Sequence, residues 1–363
     1  MKKAILVLKD GTAFEGFAFG TEGEAIGEVV FNTSITGYQE ILTDPSYKGQ
    51  IVMMTYSQIG NYGINEEDIE SLGGPKVEGF IIREYKDYPS NWRSQSSLGE
   101  YLRKYQIVGI HGIDTRALTK HLRDRGAQMG IISTIDYDIK SLHRKVLTHP
   151  DISEIDHVSA MMCKEPYWFH EEQNMPLCIV YDYGVKLNIL RNLKKVGFSV
   201  YVVPGKMPAE ALLEMNPSCI MLSNGPGDPQ ILTYAVDNIK KLIGKKPVFG
   251  ICLGHQLLGL ALGGRTYKLK FGHHGGNHPV KDMKTGKISI TAQNHNYCVD
   301  ITSLKGKVRL THKNLYDGTE EGMEHVEYPI FSVQHHPEAG PGPNDSLDVF
   351  LRFREIVREF EKK

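Results

Sequence analysis

Apolar and polar positions along the chain follow two different rhythms. Up to Met54 the apolar residues come in short runs broken by turn residues. Residues 4–8 read Ala-Ile-Leu-Val-Leu, Asp10-Gly11 is a hairpin signal, and Thr12-Ala13-Phe14 begins the return. Residues 28–31 and 50–54 continue in the same character, so strands and tight turns are expected there. Near Arg116 the spacing becomes helical, with Thr115 placed to cap the segment and Gly126 to stop it. The first half, residues 1–150, therefore reads as a mixed α+β domain.

Residues 151–175 mix acidic, aromatic and polar side chains without clear periodicity, which predicts a linker. Beyond it, apolar runs at 177–181, 199–203, 219–222 and 247–251 are separated by helical patterns at 187–196, 209–215 and 235–243. Such alternation predicts a doubly wound, mostly parallel α/β sheet with helices on both faces over residues 176–363. In sheets of this kind ligands bind beyond the C-terminal ends of the strands. The turns that follow those strands are where chemistry is expected.

Composition narrows the partners. The 363 residues carry 42 Lys+Arg against 43 Asp+Glu, a formal net charge of -1, with no long basic block to track a nucleic acid. The five cysteines, at positions 163, 178, 219, 252 and 298, form neither a C-x-x-C pair nor a disulfide framework, which fits a reducing compartment. The N-terminal apolar run is too short for a signal peptide, and no stretch approaches the roughly 20 apolar residues of a membrane helix. A cytoplasmic protein is expected, with no nucleic-acid or membrane partner.

Gly250-Ile251-Cys252-Leu253-Gly254 stands where the strand at 247–251 meets the next helix. This is the cysteine form of a nucleophile elbow: glycines two residues to either side permit a sharp turn that lifts the nucleophile above the sheet edge. The helix N-terminus favours the thiolate, and the N–H of Leu253 points where an oxyanion would form. A thiolate needs a base, and the base an orienting group. Gln334-His335-His336-Pro337-Glu338 follows an apolar strand downstream, and in extended chain His336 and Glu338 share a face while His335 points the other way. His336 is thus the expected acid/base and Glu338 its partner. The Asn224-Gly225-Pro226-Gly227-Asp228-Pro229 turn follows the strand at 219–222 at the same sheet edge, where Gly225 and Gly227 can bring backbone N–H groups close to a ligand. The histidines of 271–278 lack the spacing of a metal site, so no metal is expected.

These residues resemble the class I glutamine amidotransferases, whose triad is Cys-His-Glu. With the N-terminal segments Asn32-Thr33-Ser34, residues 37–47 and Gly112-Ile113-Asp114-Thr115-Arg116, and with the 223–229, 270–279 and 341–343 segments, the chain resembles the small-subunit family of carbamoyl-phosphate synthases nearly end to end. The elbow names only the chemistry, whereas the first half names the enzyme.

The resemblance implies that Cys252 is the nucleophile, His336 the acid/base and Glu338 its orienter, with a glutamyl thioester as intermediate. It implies glutamine contacts from Ser46, Gly225, Gly227, Leu253, Gln256 and Asn294. Two departures stand out. His335 replaces the glycine or aromatic residue that often precedes the catalytic histidine, and Asn294-His295-Asn296-Tyr297 stands where Asn-His-Gly-Phe is usual. Asparagine tolerates left-handed backbone better than other non-glycine residues, so Asn296 is expected to keep the fold while crowding the substrate. Tyr297 keeps the ring and adds a hydroxyl that needs a partner. Both are carried as backbone contacts to glutamine.

The chain has no Walker A or Gly-x-Gly-x-x-Gly motif, so it is expected to make ammonia without using it. The resemblance implies a large synthase subunit that binds ATP and magnesium, receives ammonia through a tunnel, and makes carbamoyl phosphate from bicarbonate for arginine and pyrimidine synthesis. No cofactor is expected in this chain, and the first domain is expected to dock the large subunit. A free-standing γ-glutamyl hydrolase and a non-catalytic structural subunit are the alternatives, separated by whether a partner changes activity.

Overall fold

At Asp10-Gly11 the hairpin closes as its sequence requires. Gly11 takes φ +84° and donates its N–H to Leu8 O, joining β1 (Lys3–Leu8) to β2 (Ala13–Gly20). Along β1, Leu6 and Leu8 pack with Ile81, Ile110 and Ile132, while Ile5 and Val7 meet Leu142 and Val146 on the opposite face. That division is the period of two of a strand covered on both sides. Strands β3 (Glu24–Asn32), β4 (Gln50–Met54), β5 (Gln58–Ile59), β6 (Gly79–Ile81), β7 (Glu84–Tyr85), β8 (Val108–His111) and β9 (Gln128–Ser133) follow. Seven of the nine close a barrel in the order β1-β2-β8-β6-β4-β3-β9. Helices α1 (Tyr38–Thr43), α2 (Leu98–Lys104), α3 (Thr115–Arg125) and α4 (Ile139–Thr148) complete this part. The cap of α3 lies one residue earlier than the sequence suggests: the Asp114 carboxylate, not Thr115, accepts from Ala117 N–H at 2.9 Å. A carboxylate also complements the positive end of the helix, and Gly126 ends it at φ +98°.

The structure, a computed structural model that describes residues 2–362, divides into two compact units. The first runs through Ile155 and includes Lys270–Gly275; the second is Asp156–Leu269 with the chain from Gly276 onward. The segment read as a linker is structured. It carries a 3-10 turn at Ile152–Glu154, α5 (Val158–Met161) and β10 (Tyr167–His170), with Val158 fully buried.

The second unit is a ten-stranded sheet of β10, β11 (Leu177–Asp182), β12 (Ser199–Pro204), β13 (Cys219–Leu222), β14 (Val248–Ile251), β15 (Arg265–Asp282), β16 (Ile288–Asp300), β17 (Val308–Asn314), β18 (Glu320–His325) and β19 (Ile330–Val333). The middle of β15 is counted with the first unit. The centre, in the order β12-β11-β13-β14-β19, is parallel, as the β-α alternation predicts. Residues beyond the elbow helix instead extend the sheet antiparallel through β18, β17 and β15, where short connections replace crossover helices. Helices α6 (Leu187–Lys195) and α10 (Asp348–Glu361) cover one face through Ile189, Leu193, Phe350 and Phe353. Helices α7 (Ala209–Glu214), α8 (Thr233–Leu242) and α9 (Leu253–Ala261) cover the other through Leu212, Ile239 and Leu257. Phe249, the middle of β14, stacks on Phe331 of β19 with ring centroids 5.5 Å apart, locking the two strands whose C-terminal ends carry the site. Among the described residues no helix is long and apolar enough to cross a membrane, and all five cysteines are free thiols.

Candidate active site

Strand β14 ends at Ile251, and the chain turns into α9 through Cys252 alone. Cys252 takes φ 53° and ψ -105°, a backbone conformation that side-chain-bearing residues rarely adopt and that stores strain at a functional turn. The two glycines are required by proximity rather than by their own dihedrals. A Cβ on Gly254 would lie 2.2 Å from Leu222 O, and one on Gly250 would lie 2.8 Å from Gly254 O. The turn is pinned by Cys252 N–H donating to Val333 O at 2.9 Å and Gly254 N–H to Ser223 O at 3.0 Å. Leu253 is the first residue of α9, so its N–H belongs to the unpaired first turn of the helix. Gly225 packs directly on this turn, since a Cβ there would come within 2.7 Å of Leu253 Cδ2, and Gly227 takes φ +89° in the same loop.

His336 and Glu338 follow β19 and are fully buried. The Nδ1 of His336 lies 2.6 Å from Glu338 Oε1, and Nε2 faces Cys252. Cys252 Sγ in turn lies 3.4 Å from Asn294 O, which accepts the proton of the neutral thiol. One proton thus has two places to rest, on sulfur toward Asn294 or on His336 Nε2. The His336 backbone N–H is fixed by Ala292 O at 2.9 Å. Three successive same-face residues of the β19 segment meet the first turn of α9: Ser332 with His255 at 2.9 Å, Gln334 with Gln256 at 3.1 Å, and His336 with Cys252. A strand period of two and helix positions i, i+3 and i+4 place these groups opposite one another.

Lys186 is a group that pattern reading missed. Its Nζ, on a side chain 2% exposed, lies 3.0 Å from Glu338 Oε1 and donates to Ala339 O. It precedes α6 and reads in the sequence as an ordinary helix-start lysine, yet its loop follows β11 at the same sheet edge as the elbow. Edge position was the available signal.

The charges support one another. Burial alone would strip the proton from His336, but the Glu338 carboxylate, and then Cys252, raise its pKa to about 10. Burial alone would protonate Glu338, but Lys186 and then His336 hold its pKa at about 2. What Glu338 adds to stability is therefore present above its ordinary 4.5 and lost as pH falls toward 2. What His336 adds is present below its ordinary 6.5 and lost as pH rises toward 10. The gap in unfolding midpoint between wild type and Glu338→Gln is expected to be widest at about pH 5.5 and to narrow on both sides. A gap that does not change with pH would contradict this pairing.

The remaining residues singled out by sequence fall as follows. Gln256, buried on α9, donates from Nε2 to Tyr297 O at 2.8 Å. Asn294, Asn296 and Tyr297 all lie in β16. Asn296 is extended there rather than left-handed, so no special backbone was needed to replace a glycine. The Tyr297 ring lies under Lys268 Nζ at 6.0 Å. Ser46 belongs to the first unit, on a 3-10 turn (Pro45–Tyr47) where its N–H donates to Asp44 Oδ1 at 2.9 Å. His335 turns away from His336, toward Glu321 at 3.7 Å and His312 at 5.4 Å between ring centroids. The histidines of 271–278 are divided, with His273 and His274 in the first unit and His278 in the second.

Two known families match successive parts of the chain. Residues 6–132 match the family described as carbamoyl-phosphate synthase small chain, CPSase domain, and residues 179–356 match glutamine amidotransferase class-I. The carbamoyl phosphate synthase small chain of Syntrophotalea carbinolica is 55% identical, covering 98% of both chains. That of Aquifex aeolicus is 54% identical over 98% of this chain and 99% of its own, and that of Archaeoglobus fulgidus 51% over 99% of each. An elbow cysteine at the end of β14, a buried His-Glu pair beyond β19, a class I amidotransferase region and near full-length similarity lead to one conclusion: the chain belongs to the carbamoyl-phosphate synthase small chain family.

Proposed function

We propose that this chain hydrolyses glutamine to glutamate and ammonia through a Cys252-His336-Glu338 triad, and supplies the ammonia to a large synthase subunit. The observation that carries the reading is the elbow: Cys252 strained at φ 53° on a helix N-terminus, facing a buried His336 that is itself held by Glu338. In this reading the proton of Cys252 moves to His336 Nε2, and the thiolate attacks the carboxamide carbon of glutamine. The oxyanion that forms is met by the N–H of Leu253 and by a backbone N–H of the Gly225 to Gly227 turn; losing one such donor costs about 10²- to 10³-fold in turnover. His336, kept protonated by Glu338, gives its proton to the departing ammonia, leaving a γ-glutamyl thioester on Sγ. Water that His336 then deprotonates hydrolyses the thioester, and glutamate leaves.

Lys186 keeps Glu338 ionised, so the imidazole stays aligned and its charge balanced. Ser46, Gly225, Gly227, Leu253, Gln256, Asn294, Asn296 and Tyr297 are the proposed glutamine contacts. ATP and magnesium belong to the large subunit, which would combine ammonia with bicarbonate into carbamoyl phosphate. The first unit is proposed to dock that subunit. Tyr88 and Trp92, 91% and 92% exposed, are of the aromatic type that anchors interfaces.

The test is glutamate release from glutamine by the full chain, alone and with a large synthase subunit. Release that the partner stimulates and that appears as carbamoyl phosphate is expected. Release indifferent to the partner would indicate a free-standing hydrolase, and none in either case a structural subunit.

A further inference from the structure

Glu321 is a fully buried carboxylate of β18 that the hydrolysis above does not use. It accepts from Asn314 Nδ2 at 2.8 Å and from Gln293 Nε2 at 2.9 Å, and His335 Nδ1 lies 3.7 Å away. Its backbone carbonyl accepts from Gln334 N–H at 3.0 Å, two residues before His336. A carboxylate has no proton to donate, so the Gln293 amide must present its NH₂ to Glu321 and its oxygen the other way. That oxygen lies 3.0 Å from His295 Nε2, while His295 Nδ1 lies 2.9 Å from Tyr297 O. Both ring nitrogens therefore face carbonyl oxygens, and only the doubly protonated ring donates to both. A ring nitrogen of His295 lies within 4.8 Å of a Glu321 oxygen, so the compensating charge is close by.

The residues on either side of Gln293 are the two that hold the triad. Ala292 O fixes the His336 N–H, and Asn294 O meets Cys252 Sγ. Further along the same strand, Tyr297 O takes the Gln256 amide. One buried carboxylate thus sets the amide that sets the strand against which nucleophile and base are aligned.

We propose that Glu321, acting through Gln293, is a positioning residue for glutamine hydrolysis, holding residues 292–297 in register with Cys252 and His336. The inference rests on the glutaminase reading, and Cys252→Ser in the same assay separates the two. If wild type shows no Cys252-dependent release, that reading has failed; if it does, only Glu321 is being judged. In Glu321→Gln one of the two accepting oxygens becomes an NH₂ that opposes either Gln293 or Asn314, so one of those amides must turn over, and a turned Gln293 takes an acceptor from His295. In the full chain with its large subunit, Glu321→Gln is expected to lower kcat for glutamate release by about tenfold to a hundredfold, the cost of misplacing reacting groups by about an ångström. Synthesis from added ammonia should be unchanged. The exchange Glu321→Gln with Gln293→Glu restores a carboxylate-amide bond and leaves Asn314 an acceptor, so it is expected to recover most of that loss. A Glu321→Gln enzyme with kcat and KM within about twofold of wild type would overturn the proposal. So would a double variant no better than the single, with unfolding midpoints lowered in step, because that is the signature of a carboxylate that serves stability alone.

Discussion

Replacing Cys252 with serine is expected to abolish glutamine hydrolysis and leave the fold standing. The hydroxyl occupies the same strained φ 53° position and makes the same backbone bonds, so the unfolding midpoint should stay within a few degrees of wild type. The chemistry should not survive. An alcohol gives up its proton far less readily than a thiol, so the transfer to His336 that a cysteine makes readily becomes a steeply uphill step for serine. The loss should reach about 10⁴-fold or more, the scale found when one member of a nucleophile triad is removed. Glutamate release is the first readout, and acid-quenched mass spectrometry for a γ-glutamyl adduct is the second. A Cys252→Ser chain that turns over at the wild-type rate would show that another group attacks glutamine.

The second large effect is expected from Gly254→Ala, one methyl group with no place to go. It would stand 2.2 Å from Leu222 O and 2.6 Å from Leu222 C, both backbone atoms of the central strand β13. Side chains can rotate away from a clash, but here a strand or the helix start must shift. Moving α9 moves Cys252 and the N–H of Leu253 together, and about an ångström of misplacement costs on the order of 10²-fold in rate. Overpacking should also destabilise by about 1–3 kcal/mol. Calorimetry and glutamate release on one preparation test both parts. An alanine variant with wild-type midpoint and rate would mean that the elbow is looser than its contacts require.

These two residues also show how far the sequence could be read. The Gly250 to Gly254 spacing carried the elbow because close backbone approach demands glycine wherever it occurs, and such a demand is written locally. His336 and Glu338 were separable from His335 by the alternation of an extended chain alone. Lys186 was not, because what defines it is a buried carboxylate contributed from the far end of the unit. The same holds for Glu321, which in sequence is one of two neighbouring acids and in the fold is the acceptor for amides from two other strands. The barrel escaped for a related reason. Each hairpin is legible, but closure pairs β1 with β9, the first and last strands of the set, and no local pattern encodes that. Asn296 was misjudged by analogy with a glycine it replaces, since the strand there is extended and asks for no left-handed residue.

Residues 270–275, counted with the first unit, make the chain harder to take apart than its two halves suggest. Lys270 O accepts from Ala127 N–H at 2.9 Å and His274 O from Thr33 N–H at 3.1 Å, so the barrel unit is completed by residues that come after the elbow cysteine. A protease that cuts once near residue 155 would leave both products tethered through those bonds, and the nick would show on a denaturing gel but not in native size. Gene dissection meets the same obstacle. A truncated chain ending at residue 155 keeps all seven barrel strands but loses the segment that Thr33 and Ala127 bond to, and a loss of binding or solubility in it would report that missing segment rather than the absence of the catalytic half.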